Sequence, residues 1–81
     1  MKITEAHYQY IKAAIKRMLI NNDRAIMQYE RIYADQGLTT RRMYFDLLYA
    51  ARLMPWVCEH IYPYANDDHL FTALKRAVKE C

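Results

Sequence analysis

Glycine and serine are nearly absent from this chain, and their scarcity excludes several classes of protein. The 81 residues include one glycine and no serine, whereas glycine alone makes up about 7% of average residue usage. Glycine-rich phosphate loops, glycine-dependent hairpin turns and every mechanism with a serine nucleophile are therefore excluded.

Long apolar runs and a signal-peptide core are also missing, so we expect no membrane segment and a cytoplasmic protein. The two cysteines, Cys58 and Cys81, are then expected to be free thiols, because the cytosol is reducing. Positive and negative charges nearly balance, with 12 Lys and Arg against 9 Asp and Glu and a net charge of +3. A dedicated nucleic-acid-binding protein carries dense clusters of basic residues, and a net charge of +3 indicates no such cluster.

Apolar residues repeat at three- and four-residue steps, which predicts an all-α fold in a single domain, residues 1–81. Thr4 is the expected N-cap of the first helix, residues 21–23 separate it from the second, and Gly37 ends the second. We expect a compact bundle of four to five short helices, with the third helix at its centre.

The third helix begins at Thr39 or Thr40 and carries apolar side chains over more than half of its circumference, which predicts its central position. Its main stripe consists of Met43, Leu47, Ala50 and Met54. Pro55 fits the start of a short fourth helix. Asn66 is the expected N-cap of the last helix, where the two aspartates that follow it would face the positive end of the helix dipole.

No arrangement of side chains indicates catalysis or metal binding. Cys58 and His60 are close in sequence, but two residues apart on a helix they point about 200° from each other. Zinc sites normally need two pairs of closely spaced ligands. Cys58 lies among apolar residues, where we expect a small buried side chain rather than a nucleophile. We therefore predict no enzyme activity, no cofactor and no metal.

The segment around Gly37 resembles the turn of a helix-turn-helix, in which a glycine separates two short helices and a threonine begins the second. Under that interpretation, the chain is a small nucleic-acid-binding protein. Its contacts to phosphates and base edges would come from Lys12, Lys16, Arg17, Arg41 and Arg42. Three positions depart from the helix-turn-helix pattern and make nucleic acid the less favoured partner: Tyr33, Gln36 and Asp46.

A second pattern on the third helix combines cationic and aromatic side chains. Four residues recur at four- and three-residue steps on the side away from the apolar stripe: Arg41, Phe45, Tyr49 and Arg52. One interpretation is that Phe45 and Tyr49 pack beneath neighbouring helices, which would bury the third helix on all sides. The other is an exposed protein-interaction surface, because arginine and aromatic residues are enriched at binding hot spots.

The C-terminal half carries a recognisable run of residues. It begins as Tyr44-x-Asp46-Leu47-Leu48-x-Ala50 and continues as Ile61-Tyr62-x-Tyr64-x-Asn66-Asp67-Asp68-His69-x-x-Thr72-Ala73-Leu74. Over residues 38–78 this pattern resembles small uncharacterised proteins encoded by bacteriophages and prophages. The resemblance implies a phage or mobile-element origin and brings no activity with it. Asp68 and His69 are the candidates for recognising a partner, with a purely structural helix cap as the alternative.

Together these observations predict an accessory protein that acts by binding. We expect it to bind and inhibit a host protein or a defence complex in the bacterial cell, with a homodimer as a variant. The inhibitory role follows from the phage resemblance, because small phage proteins without catalytic residues often block host proteins. The predicted partner-binding residues are Arg41, Arg42, Phe45, Tyr49, Arg52, Asp68 and His69.

Overall fold

Five helices make up most of the chain in the computed structural model, which describes residues 3–18 and 25–80. In chain order they are α1 (Glu5–Met18), α2 (Ala25–Asp35), α3 (Thr40–Ala50), α4 (Met54–His60) and α5 (Asp67–Lys79). No strand occurs in these two ranges. None of the described helices has both the length and the apolar content that crossing a bilayer requires. The prediction of an all-α bundle with four to five short helices is confirmed.

Threonine side chains fix the starts of α1 and α3. The Thr4 hydroxyl oxygen accepts a hydrogen bond from the backbone N–H of His7 at 3.1 Å. The Thr39 hydroxyl oxygen accepts one from the backbone N–H of Arg42 at 3.0 Å, so Thr39 rather than Thr40 is the N-cap of α3. Each bond satisfies a backbone donor that the first helical turn leaves unpaired. The predicted break at residues 21–23 lies outside the described residues.

Gly37 ends α2, as the sequence predicts. Its φ of +74° is in the left-handed region, which glycine adopts without the strain that a Cβ atom causes. The backbone N–H of Leu38 then donates to the carbonyl oxygen of Tyr33 at 2.9 Å, and the N–H of Gly37 donates to that of Ala34 at 3.0 Å. These are the two hydrogen bonds of a Schellman motif.

Arg52 ends α3 with the same geometry but without a glycine. Its φ is 59°, and the N–H of the next residue, Leu53, donates to the carbonyl oxygen of Leu48 at 3.0 Å. The chain therefore turns directly after α3. The predicted stripe that runs along one helix as far as Met54 is wrong, because Ala50 is the last residue of α3 and Met54 is the first residue of α4.

α3 and α5 form the centre of the bundle. α5 packs against both α1 and α3, while α3 also packs against α2. The predicted central position of the third helix is confirmed, and α5 shares it. Both helices contribute to a core of fully buried side chains: Tyr8, Ile11, Ile15, Met43, Leu48, Val57, Ile61, Leu70 and Leu74.

The burial of Cys58 differs from the expectation. Cys58 is exposed, and its thiol is free. The reason is that α4 turns Val57 into the core, and the next residue, Cys58, points about 100° away from it. The other predicted thiol, Cys81, lies outside the described residues.

α2 also has little buried surface, since Ala25 is its buried residue while Met27 and Ile32 are exposed.

Candidate functional site

The packing of α3 against α5 brings together two of the predicted partner-binding residues. Arg41, in the first turn of α3, donates from Nη1 to Oδ1 of Asp68 at 2.8 Å. Asp68 stands in the first turn of α5, where the positive end of the helix dipole also stabilises its carboxylate. The ion pair is exposed, with 44% of the Arg41 side chain and 79% of the Asp68 side chain accessible to solvent.

Aromatic rings lie beneath this ion pair. The guanidinium carbon of Arg41 is 5.7 Å from the centre of the Phe45 ring and 5.4 Å from that of Phe71. The ammonium nitrogen of Lys75 is 4.6 Å from the centre of the same Phe71 ring. Both distances to Phe71 are in the range of cation–π attraction. Two cations from different helices therefore converge on one ring.

Phe71 and Lys75 were not among the predicted site residues. The sequence places Phe71 on the buried side of the last helix and Lys75 near its end, where ordinary packing and the helix dipole explain them. Only their spacing could have predicted that they belong to the site. Asp68, Phe71 and Lys75 follow one another at three- and four-residue steps and thus share one helix face.

Tyr49 decides between the two interpretations of the α3 stripe. It is 64% exposed, while Phe45, one turn before it, is partly buried. The interpretation that buries α3 on all sides is wrong, because no helix among the described residues covers Tyr49. Arg52 is exposed but lies beyond the last turn of α3. We define the α3–α5 surface as Arg41, Phe45, Tyr49, Asp68, Phe71 and Lys75.

His69 has a structural role at the start of α5. The Asn66 side-chain oxygen accepts a hydrogen bond from the backbone N–H of His69 at 3.0 Å. In return, Nδ1 of His69 accepts a longer one, 3.4 Å, from the backbone N–H of Asn66. The two bonds form a capping box. The predicted Asn66 cap is confirmed, and recognition of a partner by His69 stays a prediction.

The basic residues of the nucleic-acid interpretation are mostly paired with carboxylates. Arg41 contacts Asp68, as above, and Nε of Arg42 lies 3.5 Å from Oδ2 of Asp46. The ammonium nitrogen of Lys12 lies 3.5 Å from Oε2 of Glu80. The remaining two, Lys16 and Arg17, are exposed in the last turn of α1. Within the described ranges, the structure shows no ion pair for either of them.

A hydrogen bond joins two of the positions that depart from the helix-turn-helix pattern. The Tyr33 hydroxyl donates to Oδ2 of Asp46 at 2.7 Å, and this bond links α2 to α3. It raises the pKa of the Tyr33 hydroxyl above its usual value. The corner between α2 and α3 therefore contains a polar side-chain contact at two positions that depart from the helix-turn-helix pattern.

Glu80, which the sequence did not single out, connects α1 with α5. The hydroxyl of the buried Tyr8 donates to its Oε2 at 2.7 Å, and Nε of Arg76 donates to its Oε1 at 3.0 Å. The bond from Tyr8, followed by that from Arg76, lowers the pKa of Glu80 to about 2. Burial, together with the bond to Glu80, raises the pKa of Tyr8 to about 12.

Four aromatic rings meet where α1 packs near α4. The Tyr10 ring stacks on that of Trp56 with 4.3 Å between centres, and the rings of His7 and His60 lie 5.5 Å and 5.3 Å from Trp56. This cluster does not hold a metal site of the usual kind. Among residues 3–18 and 25–80, no group of three or more His, Cys, Asp or Glu side chains is placed to bind an ion.

No family model, no curated protein and no solved structure matches this chain. The α3–α5 surface offers an exposed tyrosine, two cations and one carboxylate on helices that belong to the centre of the bundle. Such a surface can bind a partner without first becoming ordered, since its backbone is already fixed.

Proposed function

We propose that this protein is a small cytoplasmic accessory protein of a phage or mobile element that acts by protein–protein interaction. It binds a host protein or defence complex through the α3–α5 surface and thereby inhibits it. The single observation that carries the interaction role is the exposure of Tyr49, one helical turn after Phe45, whose ring lies near Arg41. The phage origin and the inhibition rest on the sequence resemblance alone.

The residue types of this surface support a protein partner. Tyrosine and arginine are among the residues that contribute most binding energy at protein interfaces, because each combines a large contact area with polar groups. Tyr49 has this area exposed, and Phe45, which packs against the core, lies one turn before it on the same helix. The α3–α5 surface is thus suited to contribute a binding hot spot.

The ion pairs of the basic residues favour this proposal over nucleic-acid binding. A protein that binds DNA gains affinity from each cation that neutralises a phosphate. Arg41, Arg42 and Lys12 already contact carboxylates, and each of these contacts would have to break or be shared. Lys16 and Arg17 alone offer few phosphate contacts. Nucleic acid therefore remains the alternative partner that an experiment has to distinguish.

The proposal is tested by affinity capture from a bacterial lysate that has been treated with nuclease, followed by mass spectrometry. The wild type is compared with Tyr49→Ala. Tyr64→Ala is the matched control, because Tyr64 is 68% exposed and lies between α4 and α5. We expect the wild type and Tyr64→Ala to enrich the same protein and Tyr49→Ala to lose it. The captured protein should then lose its own activity when purified wild type is added.

Three results would contradict the proposal. Capture of nucleic acid from an untreated lysate, with no protein enriched, would favour the nucleic-acid alternative. Equal capture by Tyr49→Ala and the wild type would place the interaction elsewhere on the molecule. A homodimer that dissociates in the Tyr49→Ala variant, without any captured protein, would assign the α3–α5 surface to self-association; sedimentation velocity measures this.

A further inference from the structure

We propose that the α3–α5 surface recognises an acidic segment of a protein partner, and that Asp68 occupies a position on Arg41 which a partner carboxylate takes over. This inference rests on the proposed function, because it names the chemistry of the partner at the same surface. The partner segment that we propose carries carboxylates next to an apolar side chain.

Arg41 has more hydrogen-bonding capacity than Asp68 uses. A guanidinium carries five N–H donors in a planar fork that matches the two oxygens of a carboxylate. The described structure shows one hydrogen bond from this fork, Nη1 to Oδ1 of Asp68 at 2.8 Å. The rings of Phe45 and Phe71 hold the guanidinium at the surface. A partner carboxylate can therefore approach the fork from the solvent side before it replaces Asp68.

The local charge favours a negatively charged segment. Arg41 and Lys75 both approach the ring of Phe71, and Asp68 is the one carboxylate that pairs with either of them among the described residues. The cluster thus keeps one positive charge in excess. A partner carboxylate placed between Arg41 and Lys75 would be attracted by both cations and would neutralise this excess.

The exposed ion pair can be exchanged at small cost. Asp68 is largely solvent-exposed, and exposed pairs of this kind shift an equilibrium by no more than about a factor of five. Asp68 also has a second source of stabilisation at the start of α5, so it does not depend on Arg41. Asp68 therefore weakly competes with an incoming carboxylate without blocking it.

Tyr49 supplies the apolar part of the recognition. Its exposed ring stands one helical turn after Phe45, whose own ring contacts Arg41. An aliphatic side chain next to the partner's carboxylate would pack on the Tyr49 ring while the carboxylate binds Arg41. A duplex phosphate backbone brings charge at every unit but no aliphatic side chain. The bases of a single strand, in contrast, can stack on an exposed tyrosine, so an oligonucleotide is the competitor that the test has to include.

The test is the selection of a displayed library of random short peptides on the immobilised protein. We expect the enriched peptides to contain Asp or Glu beside an aliphatic residue. A synthetic copy of an enriched peptide is then titrated by fluorescence polarisation against the variants. Arg41→Gln should weaken binding by about tenfold or more, because a charged hydrogen bond is lost. Asp68→Asn should strengthen binding by about twofold to fivefold, because the competing charge is gone.

Matched controls separate local contacts from net charge. Arg31→Gln on α2 and Lys79→Gln on α5 remove the same charges from exposed positions outside the α3–α5 surface. We expect them to bind as the wild type does, whereas Lys75→Gln should bind more weakly than Lys79→Gln. Circular dichroism of each variant establishes that it is folded before it is titrated.

The inference is overturned if no acidic peptide is enriched, or if Asp68→Asn binds the selected peptide no more tightly than the wild type. It is also overturned if a single-stranded oligonucleotide displaces the peptide at equal concentration, since the surface would then bind any polyanion. A partner captured from the lysate that binds Arg41→Gln as well as the wild type would overturn the acidic-segment inference and leave the proposed function standing. Enriched acidic peptides without a captured partner would support the acidic-segment inference and contradict the proposed function.

Discussion

The hydrogen bond from Tyr8 to Glu80 provides a direct test of what holds α1 and α5 together. Replacing Tyr8 by Phe removes the hydroxyl but keeps the buried ring and its contact with Arg76, whose guanidinium carbon lies 4.0 Å from the ring centre. A hydrogen bond to a charged acceptor contributes about 1.5–3 kcal/mol. Because Glu80 is partly exposed and can be rehydrated, we expect Tyr8→Phe to cost about 1–2 kcal/mol.

This cost translates into a large change in melting temperature. For 81 residues the entropy of unfolding near the midpoint is about 170 cal/mol/K. Each 1 kcal/mol therefore lowers the melting temperature by about 6 °C, and Tyr8→Phe should lower it by about 6–12 °C. Tyr44→Phe is the matched control. Tyr44 is also a buried tyrosine, but its hydroxyl makes no side-chain hydrogen bond among the described residues and is not a buried unpaired atom. Its removal should therefore change little.

The pH dependence of the Tyr8→Phe effect tests the role of Glu80 separately. The folded-state pKa of Glu80 is lowered from 4.5 to about 2, so its contribution is present above pH 4.5 and is lost as the pH falls towards 2. The pKa of Tyr8 is raised from 10.0 to about 12, so the hydroxyl contributes below pH 10 and ceases to do so as the pH rises towards 12. Urea denaturation gives the difference in unfolding free energy between the wild type and Tyr8→Phe. This difference should be constant between pH 4.5 and pH 10 and should shrink as the pH falls below 4.5. A difference that stays constant down to pH 2 would refute the role of Glu80.

Two further predictions concern the ends of helices. Asn66→Ala should cost about 1 kcal/mol because it removes the acceptor for the N–H of His69, whereas His69→Ala should cost less because its own bond is long. Equal melting temperatures for these two variants would contradict this order. At the left-handed helix ends, Gly37→Ala should destabilise the protein by about 1 kcal/mol through backbone strain alone, since the space around Gly37 is open, and Arg52→Gly should stabilise it by a similar amount. Thermal denaturation measures both, and the same sign for the two changes would contradict the assignment.

The parts of the fold that the sequence predicts are those determined within a few residues. The caps at Thr4 and Asn66 and the glycine end of α2 each depend on atoms three to five residues away. The apolar period that reveals the helices is equally local. The exact end of α3 is missed because Arg52 adopts the left-handed conformation without the glycine that usually marks such a helix end.

The contacts that build the candidate site join residues far apart in the chain. Arg41 and Asp68 are 27 residues apart, and Tyr8 and Glu80 are 72 residues apart. Periodicity assigns each of these residues to a helix face but does not say which faces meet. The exposure of Tyr49 is of the same kind, since it depends on which neighbouring helices leave that side of α3 uncovered.

The Asn66 to His69 run shows why cap and recognition are not true alternatives. Successive residues on a helix point about 100° apart, so neighbours in the run face different surroundings. Asn66 and His69 bond to each other's backbone and fix the start of α5, whereas the carboxylate of Asp68 turns to Arg41. The cap thus holds Asp68 in the place from which it can compete for Arg41. A variant that removes the cap should therefore disturb both stability and binding. Asp68→Asn should strengthen peptide binding and lower stability only through the loss of an exposed ion pair and a dipole contact.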